Sequence, residues 1–309
     1  MKVDLKTCWG DGNQWRRGTL LGKGGHGAVF LGLLSSYNPP RYIAVKSADA
    51  SKSKSLKAEK KILSYMVGSP YIIQCYGEET TTRSDGNLVY NLLLEYGSGG
   101  SLATRIHSSP GNDNNKMSEL EVRWYTISIL QGLFYIHEVG FVHCDLKPGN
   151  ILLVPWRMTP SGKVLSMAKI CDFGLAKKAA PLQRNQKRKR ESEKTEKKNR
   201  WRGTVRYLSP EAVRDGVQEP ASDMWALGCV VLEMLSGQRP WEVEHQTGGK
   251  EAVLEKIRKG DSVPEIPGGI SSDARDFLRC CLRKSAANRS SAKTLLLHPF
   301  VNNLQSYLK

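Results

Sequence analysis

The stretch FVHCDLKPGN, residues 141–150, places a His, an Asp, a Lys and an Asn within eight positions, with a Cys directly before the Asp. Such a set is compatible with a site that handles charge, and it is equally compatible with polar residues that make a turn. One loop does not separate these two interpretations. The sequence on either side of it does.

The composition is that of a globular protein with room for one large domain or two lobes. The 309 residues are 39% hydrophobic and 25% charged, and no apolar run is long enough to cross a bilayer. The N-terminal residues lack the apolar centre of a signal peptide, and the seven Cys include no CxxC pair, which indicates reduced thiols. These features predict a location in the cytoplasm, the nucleus or both, and no membrane partner.

The formal net charge of +16 raises the hypothesis of nucleic-acid binding. Residues 183–202 contain ten Lys or Arg and three Glu, so this run alone supplies +7 of that charge. A basic excess in one low-complexity run is typical of a solvated segment. The sequence has no recognised nucleic-acid-binding motif and no basic stretch in which aromatic residues alternate with Lys and Arg. We therefore expect no specific nucleic-acid partner.

The first 95 residues have the pattern of a β-rich unit with one helix. The helical spacing lies in KSLKAEKKILSYMV (54–67). Residues 15–34 have alternating apolar positions broken by glycines, which predicts two strands around a tight turn, and three more strands are predicted at 41–49, 71–77 and 87–96.

The sequence after the glycine-rich segment GSGG (97–100) is mainly helical. Residues 118–140 predict a long amphipathic helix that Ser118 caps. Together the two halves predict a small β-rich lobe and a larger helical lobe, and clefts between lobes are where small ligands usually bind. Two strand-like pieces at 150–154 and 168–172 come next, and further helical patterns lie at 222–237, 251–260, 273–282 and 291–301.

The segment GKGGHG (22–27) fits the pattern G-x-G-x-x-G through Gly22, Gly24 and Gly27. This pattern occurs in dinucleotide-binding turns, in phosphate-binding flaps and in plain hairpins. A dinucleotide site needs a helix directly after the glycines, whereas AVFLGLL here continues as a strand. The residues therefore favour a glycine turn between two strands, whose backbone amides can close over phosphates.

Lys46 follows an apolar run on the third predicted strand, where a lone Lys is most often simply solvated. Glu59, thirteen residues later on the predicted helix, is suitably placed to pair with it. Such a pair would hold the lysine ammonium against phosphate oxygens.

Taken in chain order, the sequence motifs resemble those of a eukaryotic protein kinase. The resemblance implies an α+β, two-lobed protein kinase fold with a small β-rich N-lobe that has one main helix and a larger helical C-lobe. It covers residues from about 15 to 301, and the motifs that carry it are GKGGHGAV, IAVK, the helical Glu59, VHCDLKPGN, CDFG, SPE, SDMWALG and the late Arg289.

The resemblance also divides the chain. A kinase domain at 15–301 occupies most of the 309 residues. We therefore expect the kinase activity to be controlled by protein abundance, by partners or by a long loop. The implied parts are an N-terminal extension at 1–14, an N-lobe at about 15–95, a hinge at about 95–100, a C-lobe at about 101–301 and a tail at 302–309.

The resemblance assigns catalytic roles to four residues. Asp145 would orient the substrate hydroxyl and accept its proton, and Lys147 would neutralise the transferring phosphate. Lys46 and Glu59 would form the ion pair that holds the phosphates of ATP.

It also implies the binding residues. Asn150 and Asp172 would hold Mg²⁺, a hard cation that prefers oxygen ligands. Leu94 would lie behind the adenine. The residues implied to bind ATP are Leu21, Gly22, Lys23, Gly24, Gly25, His26, Gly27, Val29, Ala44, Lys46, Glu95, Gly97 and Leu152.

Lys147, together with Thr204 in RGTVRYLSPE, implies Ser/Thr specificity, and Thr204 is expected to contact the catalytic loop. The stretches GHGAVFLG, EYGSGGSL and LLLHPFV are similar to those of plant mitogen-activated protein kinase kinase kinases. That similarity implies a protein substrate, a mitogen-activated protein kinase kinase. A pseudokinase scaffold of the same cascade is the alternative. It is disfavoured by the presence of the full set of catalytic and metal-binding residues, namely Lys46, Glu59, Asp145, Asn150 and Asp172.

The resemblance gives structural roles to several other residues. It implies a buried ion pair between Glu211 and Arg289, and contact of Asp223 with the backbone of the catalytic loop. The residues with an implied packing role are Leu63, Cys75, His137, His143, Phe173 and His298.

Cys144 departs from the common kinase pattern. Many kinases have Arg directly before the catalytic Asp, and that Arg binds a phosphorylated activation loop. A Cys cannot pair with phosphate as a guanidinium does, so we hypothesise that activity does not require loop phosphorylation. A redox-sensing Cys is the alternative, although most cysteines are inert packing groups.

The activation segment is long, with 40 residues from Asp172 to Glu211. It contains Ser192 and Thr195 as candidate phosphosites and KRKR (187–190) as a candidate nuclear import signal. A second insertion, PWRMTPSGK (155–163), predicts an extended loop between two strands.

Overall fold

The chain forms two compact units, one of which comprises Met1–Ser101 and Ile151–Gly174 and the other Leu102–Asn150 and Leu175–Lys309. The first is built mainly of strands and the second mainly of helices, which confirms the predicted fold class. None of the helices in the described part of the chain has the length and apolarity that a bilayer span requires. The computed structural model describes residues 9–25, 27–34, 37, 39, 41–107, 117–158, 162, 164–180, 201–260 and 262–302.

The described elements are, in chain order, β1 (Arg16–Gly24), β2 (Gly27–Leu34), β3 (Arg41–Asp49), α1 (Lys54–Leu63), β4 (Cys75–Thr82), β5 (Leu88–Glu95), α2 (Leu102–His107), α3 (Glu119–Glu138), β6 (Phe141–Val142), β7 (Ile151–Met158), β8 (Val164–Ile170), β9 (Lys177–Lys178), α4 (Pro210–Asp215), α5 (Pro220–Ser236), α6 (Glu242–Lys259), α7 (Ser272–Cys281), α8 (Ala292–Leu295) and α9 (Pro299–Asn302).

The first unit contains a five-stranded antiparallel sheet in the order β1–β2–β3–β5–β4. Its central strand β3 buries six consecutive residues, from Ile43 to Ala48, because both neighbours and both faces cover it. Ile43 and Val45 form an apolar core with Trp15, against which Leu34 and Leu93 pack. The strand that carries Lys46 is therefore held firmly on all sides.

Helix α1 presents one buried face through Leu56, Glu59 and Leu63, which are three and four residues apart. It ends at Leu63, four residues before the predicted end. The strand predicted at 71–77 is also misplaced, because β4 begins at Cys75. Ile72 is fully buried outside this sheet, where it forms an isolated parallel bridge with Ile170.

Strands β7 and β8 pair as an antiparallel hairpin with an irregularity between Pro155 and Arg157. The prediction of a loop over the whole of 155–163 is therefore wrong for its first part, since the strand continues to Met158. A two-stranded hairpin tolerates Pro155 because Pro is accepted at edge positions and at bulges.

Residues 9–15, most of which belong to the predicted N-terminal extension, pack on the sheet of the first unit. The Trp15 indole N–H donates to Glu79 at 2.7 Å, and the Trp9 ring lies 5.7 Å from that of Phe30. Arg17 follows on β1 and is buried, where it donates to the Ser47 hydroxyl at 3.0 Å. Burial lowers the pKa of this guanidinium to about 10, against the opposing effect of Asp11.

The second unit is organised around α5, which is buried along nearly its whole length and packs against α3 and α7. Ser118 caps α3 as predicted, accepting a hydrogen bond from the Glu121 N–H at 3.3 Å. Helix α6 starts earlier than predicted and breaks at Gly248 and Gly249, where Gly249 has a φ of 66°. The predicted ion pair between Glu211 and Arg289 is present and buried, at 2.7 Å.

Candidate active site

In the first unit, Lys46 lies between two carboxylates. Its ammonium is 2.8 Å from Glu59 on α1 and 2.9 Å from Asp172, which follows β8. The second oxygen of Glu59 accepts the backbone N–H of Phe173 at 3.2 Å. The sequence-predicted pair is thus brought together, and the predicted metal ligand Asp172 joins it.

The same group keeps Lys46 charged. Burial by itself would lower the pKa of Lys46, but the adjacent carboxylates of Glu59 and Asp172 outweigh it and raise the pKa to about 12. At neutral pH the lysine is therefore a fixed positive point charge, suited to oppose phosphate oxygens.

The backbone at Asp172 adopts an uncommon conformation, with a φ of 62°. Such a conformation costs about 1–3 kcal/mol for a residue other than Gly, and it persists where the surroundings hold it. Directly after it the Phe173 side chain is fully buried, and the Phe173 N–H is bound by Glu59. The strained turn places the Asp172 carboxylate beside Lys46.

The predicted glycine turn joins β1 and β2. A Cβ added to Gly22, Gly24 or Gly25 would meet no described atom within 4 Å, so the backbone here is open to approach. Gly27 is different, because its φ is 125° and a Cβ would lie 2.2 Å from the Ser47 carbonyl oxygen. Only glycine fits there. His26, the fifth residue of the predicted flap, lies outside the described residues.

The side chains predicted to bind the adenine lie on the same unit. Ala44 is buried on β3, pairs with Leu94 across to β5, and lies opposite Leu31 of β2. Gly97 approaches Leu152 so closely that a Cβ would be 2.8 Å from the leucine Cβ. The remaining predicted residues have these positions: Leu21 and Lys23 are exposed on β1, Val29 is half-buried on β2, and Glu95 ends β5 with its side chain 2.6 Å from Lys169.

In the second unit, Asp145 is the centre of a charged hydrogen-bond network. The Lys147 ammonium donates to one carboxylate oxygen at 2.8 Å. The Thr204 hydroxyl donates to the other at 2.8 Å and accepts from Lys147 at 2.9 Å. A closed triangle of this kind fixes the carboxylate in one orientation, as the positioning of a nucleophilic hydroxyl requires.

Asn150 is oriented by the same loop. Its amide nitrogen donates to the Asp145 backbone carbonyl at 2.9 Å and to the Asp145 carboxylate at 3.1 Å. Because the NH₂ group is directed at these two acceptors, the amide oxygen is the atom that Asn150 can offer to a hard cation.

Asp223 on α5 holds the backbone of the catalytic loop, as predicted. It is fully buried and accepts the N–H groups of His143 at 2.9 Å and Cys144 at 3.0 Å, and the His137 ring at 2.9 Å. Burial opposes its ionisation, but these hydrogen bonds, led by His137, outweigh burial and lower the pKa of Asp223. The Asp223 carboxylate thus holds Cys144 at a φ of 67°, a strained value for a non-glycine residue.

The Cys144 thiol is buried and lies 3.7 Å from the Val142 carbonyl oxygen. Burial, together with Asp223, raises its pKa to about 12, although Lys177 and Arg202 act in the opposite direction. A thiol that remains protonated at neutral pH is a poor nucleophile and a poor redox sensor. The structure therefore favours the packing role over the redox role.

Among the described residues, Asp276, Cys280 and His298 form a cluster of metal-capable side chains. The His298 Nδ1 accepts the N–H of Phe300 at 3.1 Å, so the proton lies on Nε2, which donates to Asp276 at 3.1 Å. A metal would need the lone pair of that same Nε2. The hydrogen bonds instead support the structural role predicted for His298.

Two features of the second unit were missed by the sequence analysis. Gln218 binds the backbone of Arg202 and Glu219 binds the backbone of Ala180, two positions within the long activation segment. Their only sequence signal is the Glu–Pro pair at the start of α5, which indicates a helix N-terminus and nothing more. The second feature is the buried Glu233, which accepts from Tyr207 at 2.7 Å and lies 2.9 Å from His107.

Residues 15–301 match the protein kinase domain family, so the chain belongs to the protein kinases and is an ATP-dependent serine/threonine kinase. This confirms the resemblance inferred from the motifs. Mitogen-activated protein kinase kinase kinase 17 of Arabidopsis thaliana is 35% identical over 288 residues, or 93% of this chain and 69% of the relative. Mitogen-activated protein kinase kinase kinase 20 of the same plant is 40% identical over 290 residues (93% and 78%). Mitogen-activated protein kinase kinase kinase 18 is 36% identical over 299 residues (95% and 79%).

Proposed function

We propose that this kinase is a mitogen-activated protein kinase kinase kinase that transfers the γ-phosphate of ATP to Ser or Thr hydroxyls of a mitogen-activated protein kinase kinase. Two observations support the proposal. The first is the hydrogen-bonded triangle of Asp145, Lys147 and Thr204, a geometry suited to phosphoryl transfer. The second is the similarity to three Arabidopsis proteins with that name, each over more than nine-tenths of this chain.

Asp145 would receive the substrate hydroxyl and align it with the phosphate. Phosphoryl transfer passes through a loose and highly anionic transition state, so positioning and charge neutralisation supply most of the catalysis. Lys147, held at 2.8 Å from Asp145, brings a positive charge to this loop. The carboxylate can orient the hydroxyl and take its proton, while Lys147 opposes the negative charge on the transferred group.

Lys46 would hold the phosphates of ATP in place. Its charge is maintained by Glu59, which is buried and itself fixed by the Phe173 N–H. The open glycine turn between β1 and β2 would supply backbone N–H groups to the same phosphates.

Asn150 and Asp172 fit the chemistry of Mg²⁺ binding. The amide of Asn150 is oriented so that its oxygen is the atom left for a cation, and the Asp172 side chain is 38% exposed. When bound, Mg²⁺ supplies neutralisation of phosphate charge, and these two oxygen donors are the residues we propose to hold it.

The adenine of ATP would be bound by apolar side chains and by the backbone that follows β5. The proposed contacts are the side chains of Leu21, Val29, Ala44 and Leu152 and the backbone of Glu95 and Gly97. Lys23 would lie in the flap near the phosphates.

Phosphoryl transfer to a panel of substrates tests the proposal. Purified protein is incubated with ATP, Mg²⁺ and kinase-dead mitogen-activated protein kinase kinases, with a generic protein substrate in parallel. Preferential phosphorylation of members of the panel on Ser or Thr is the expected result. Equal or greater activity on the generic substrate would contradict the assignment to this cascade while leaving the kinase activity intact.

A further inference from the structure

We infer that Gln218 and Glu219 are positioning residues that hold the activation segment in its active arrangement, without a phosphorylated residue, by binding its backbone at Ala180 and Arg202, here called its N-terminal and C-terminal ends. We name this pair the Gln218–Glu219 clamp. The inference concerns the kinase activity that the family establishes, and it does not depend on which protein is the substrate.

Gln218 holds the C-terminal end of the segment. Its side chain is buried, its oxygen accepts the Arg202 N–H at 2.9 Å, and its NH₂ group donates to the Arg202 carbonyl at 2.9 Å. One side chain therefore satisfies both backbone groups of one residue, as a neighbouring strand would. These bonds fix the backbone immediately before Gly203 and Thr204.

The residues after Arg202 need that fixed position. Gly203 has a φ of 107°, and a Cβ there would lie 2.4 Å from the Cys144 carbonyl oxygen. Thr204 follows with its hydroxyl 2.8 Å from Asp145. A shift of the Arg202 backbone would move Thr204 away from Asp145, and displacements of this size in positioning groups cost large factors in rate.

Glu219 holds the N-terminal end of the segment. One carboxylate oxygen lies 3.0 Å from the Lys177 ammonium, and the other accepts the Ala180 N–H at 3.0 Å. Lys177 belongs to β9, which pairs with β6 directly before the catalytic loop. The carboxylate also caps α5, where the helix N-terminus favours a negative charge.

The clamp explains how the activation segment can be held in place although Cys144, and not Arg, precedes Asp145. Lys177, Arg202 and Glu219 lie close enough to this thiol to affect its pKa, as Asp223 does. Where a kinase with Arg at this position needs a phosphate to balance a buried cation, this chain has Cys144. The carboxylate of Glu219 instead provides a built-in anion for Lys177, and both ends of the segment are bound by two adjacent residues.

Gln218→Leu tests the clamp, because it preserves the approximate volume and removes both hydrogen bonds. With a generic protein substrate, we expect kcat to fall about tenfold or more while the KM for ATP changes less than about twofold. The Arg202 amide should exchange hydrogen faster, without a matching change in α3. Gln238→Leu, at an exposed glutamine, is the matched control and should leave both readouts unchanged. Wild-type kcat and unchanged exchange at Arg202 in Gln218→Leu would overturn the inference.

Gln218→Glu separates positioning from a general loss of structure through its pH profile. Its carboxylate can accept the Arg202 N–H but repels the Arg202 carbonyl, whereas the protonated form can donate to that carbonyl. Burial beside a carbonyl oxygen raises the pKa of such a carboxyl group. The ratio of variant to wild-type kcat should therefore rise as the pH falls from about 8 to about 6. A ratio that is flat or falls would overturn the inference.

Glu219→Gln removes the charge and keeps an oxygen for the helix cap. We expect about a threefold fall in kcat, since a partly exposed ion pair contributes little, and no change in Glu255→Gln, which breaks an exposed pair with Lys259.

Phosphatase treatment of the wild type, or the double change Ser192→Ala and Thr195→Ala, should leave kcat within about twofold. Those two residues lie outside the described part of the chain. Loss of most activity after dephosphorylation would overturn the inference. Because all rates use a generic substrate, a wrong assignment of the natural substrate would not affect these results.

Discussion

Replacement of Glu59 by Gln is the perturbation that most directly tests how the first unit handles phosphate. The two oxygens of Glu59 serve two donors: the Lys46 ammonium at 2.8 Å and the Phe173 N–H at 3.2 Å. A glutamine has one acceptor oxygen, so its NH₂ group must face either the ammonium or the N–H. The substitution therefore removes a charge and one hydrogen bond while it preserves the shape.

The expected magnitude follows from that lost contact. A hydrogen bond to a charged group contributes about 1.5–3 kcal/mol, and each 1.36 kcal/mol is a factor of ten in rate. We therefore expect kcat/KM for ATP to fall roughly 10- to 150-fold in Glu59→Gln. Initial rates with a generic protein substrate, measured over a range of ATP concentrations, give this ratio.

Glu79→Gln is the matched control for this prediction. Glu79 also accepts two donors, the Asn13 N–H at 3.0 Å and the Trp15 indole N–H at 2.7 Å, on the N-terminal side of the same unit. Its replacement removes the same number of acceptors without touching Lys46. It should lower the melting temperature and leave kcat/KM for ATP within about threefold of wild type. If Glu59→Gln keeps wild-type kcat/KM, the role of this ion pair is refuted.

Three further predictions concern the second unit. Thr204→Val removes the hydroxyl that donates to Asp145 and should lower kcat about 10- to 100-fold, whereas Thr204→Ser should stay within about threefold; steady-state kinetics decide, and equal rates for the two variants would contradict the prediction. Arg289→Met leaves Glu211 buried without its cation and should cost about 3–5 kcal/mol of unfolding free energy at pH 7. The hydrogen bonds and charge of Arg289 outweigh burial and lower the pKa of Glu211, so this stabilisation is present above the unfolded pKa of about 4.3 and is lost as the pH falls through the folded value. Unfolding measured from pH 7 down to about pH 3 should therefore show the difference between variant and wild type narrowing below about pH 4.3, and a widening difference would contradict it. Because its pKa is raised to about 12, Cys144 should resist iodoacetamide in the native protein at pH 7.5; peptide mass spectrometry checks this, and rapid labelling would refute the assigned packing role.

Elements with a strong local pattern were predictable from the sequence. The limits of β3 are those predicted, because the apolar run from Ile43 to Val45 is bounded by polar residues and lies in the centre of a sheet. Ser118 was recognisable as a cap because a Ser before an apolar-periodic stretch has a local role. The Lys46–Glu59 pair was also predictable, since both residues occupy motif positions.

Features that depend on contacts between distant residues were not predictable. Ile72 and its neighbours looked like a strand because burial outside a sheet and burial inside one give the same apolar run. Gln218 is one polar residue without a pattern, and only the fold brings it to the Arg202 backbone. The contact between His107 and Glu233 spans 126 residues and likewise leaves no trace in the local sequence.

Phosphoryl transfer from ATP with Mg²⁺, compared between the wild type and Asp145→Asn, is the most direct test of the central claim. The substrates are a generic protein and kinase-dead mitogen-activated protein kinase kinases. We expect transfer to Ser or Thr of the kinase panel by the wild type and at least about a hundredfold less transfer by Asp145→Asn. Equal transfer by the two proteins, or none by a wild type that binds ATP, would contradict it.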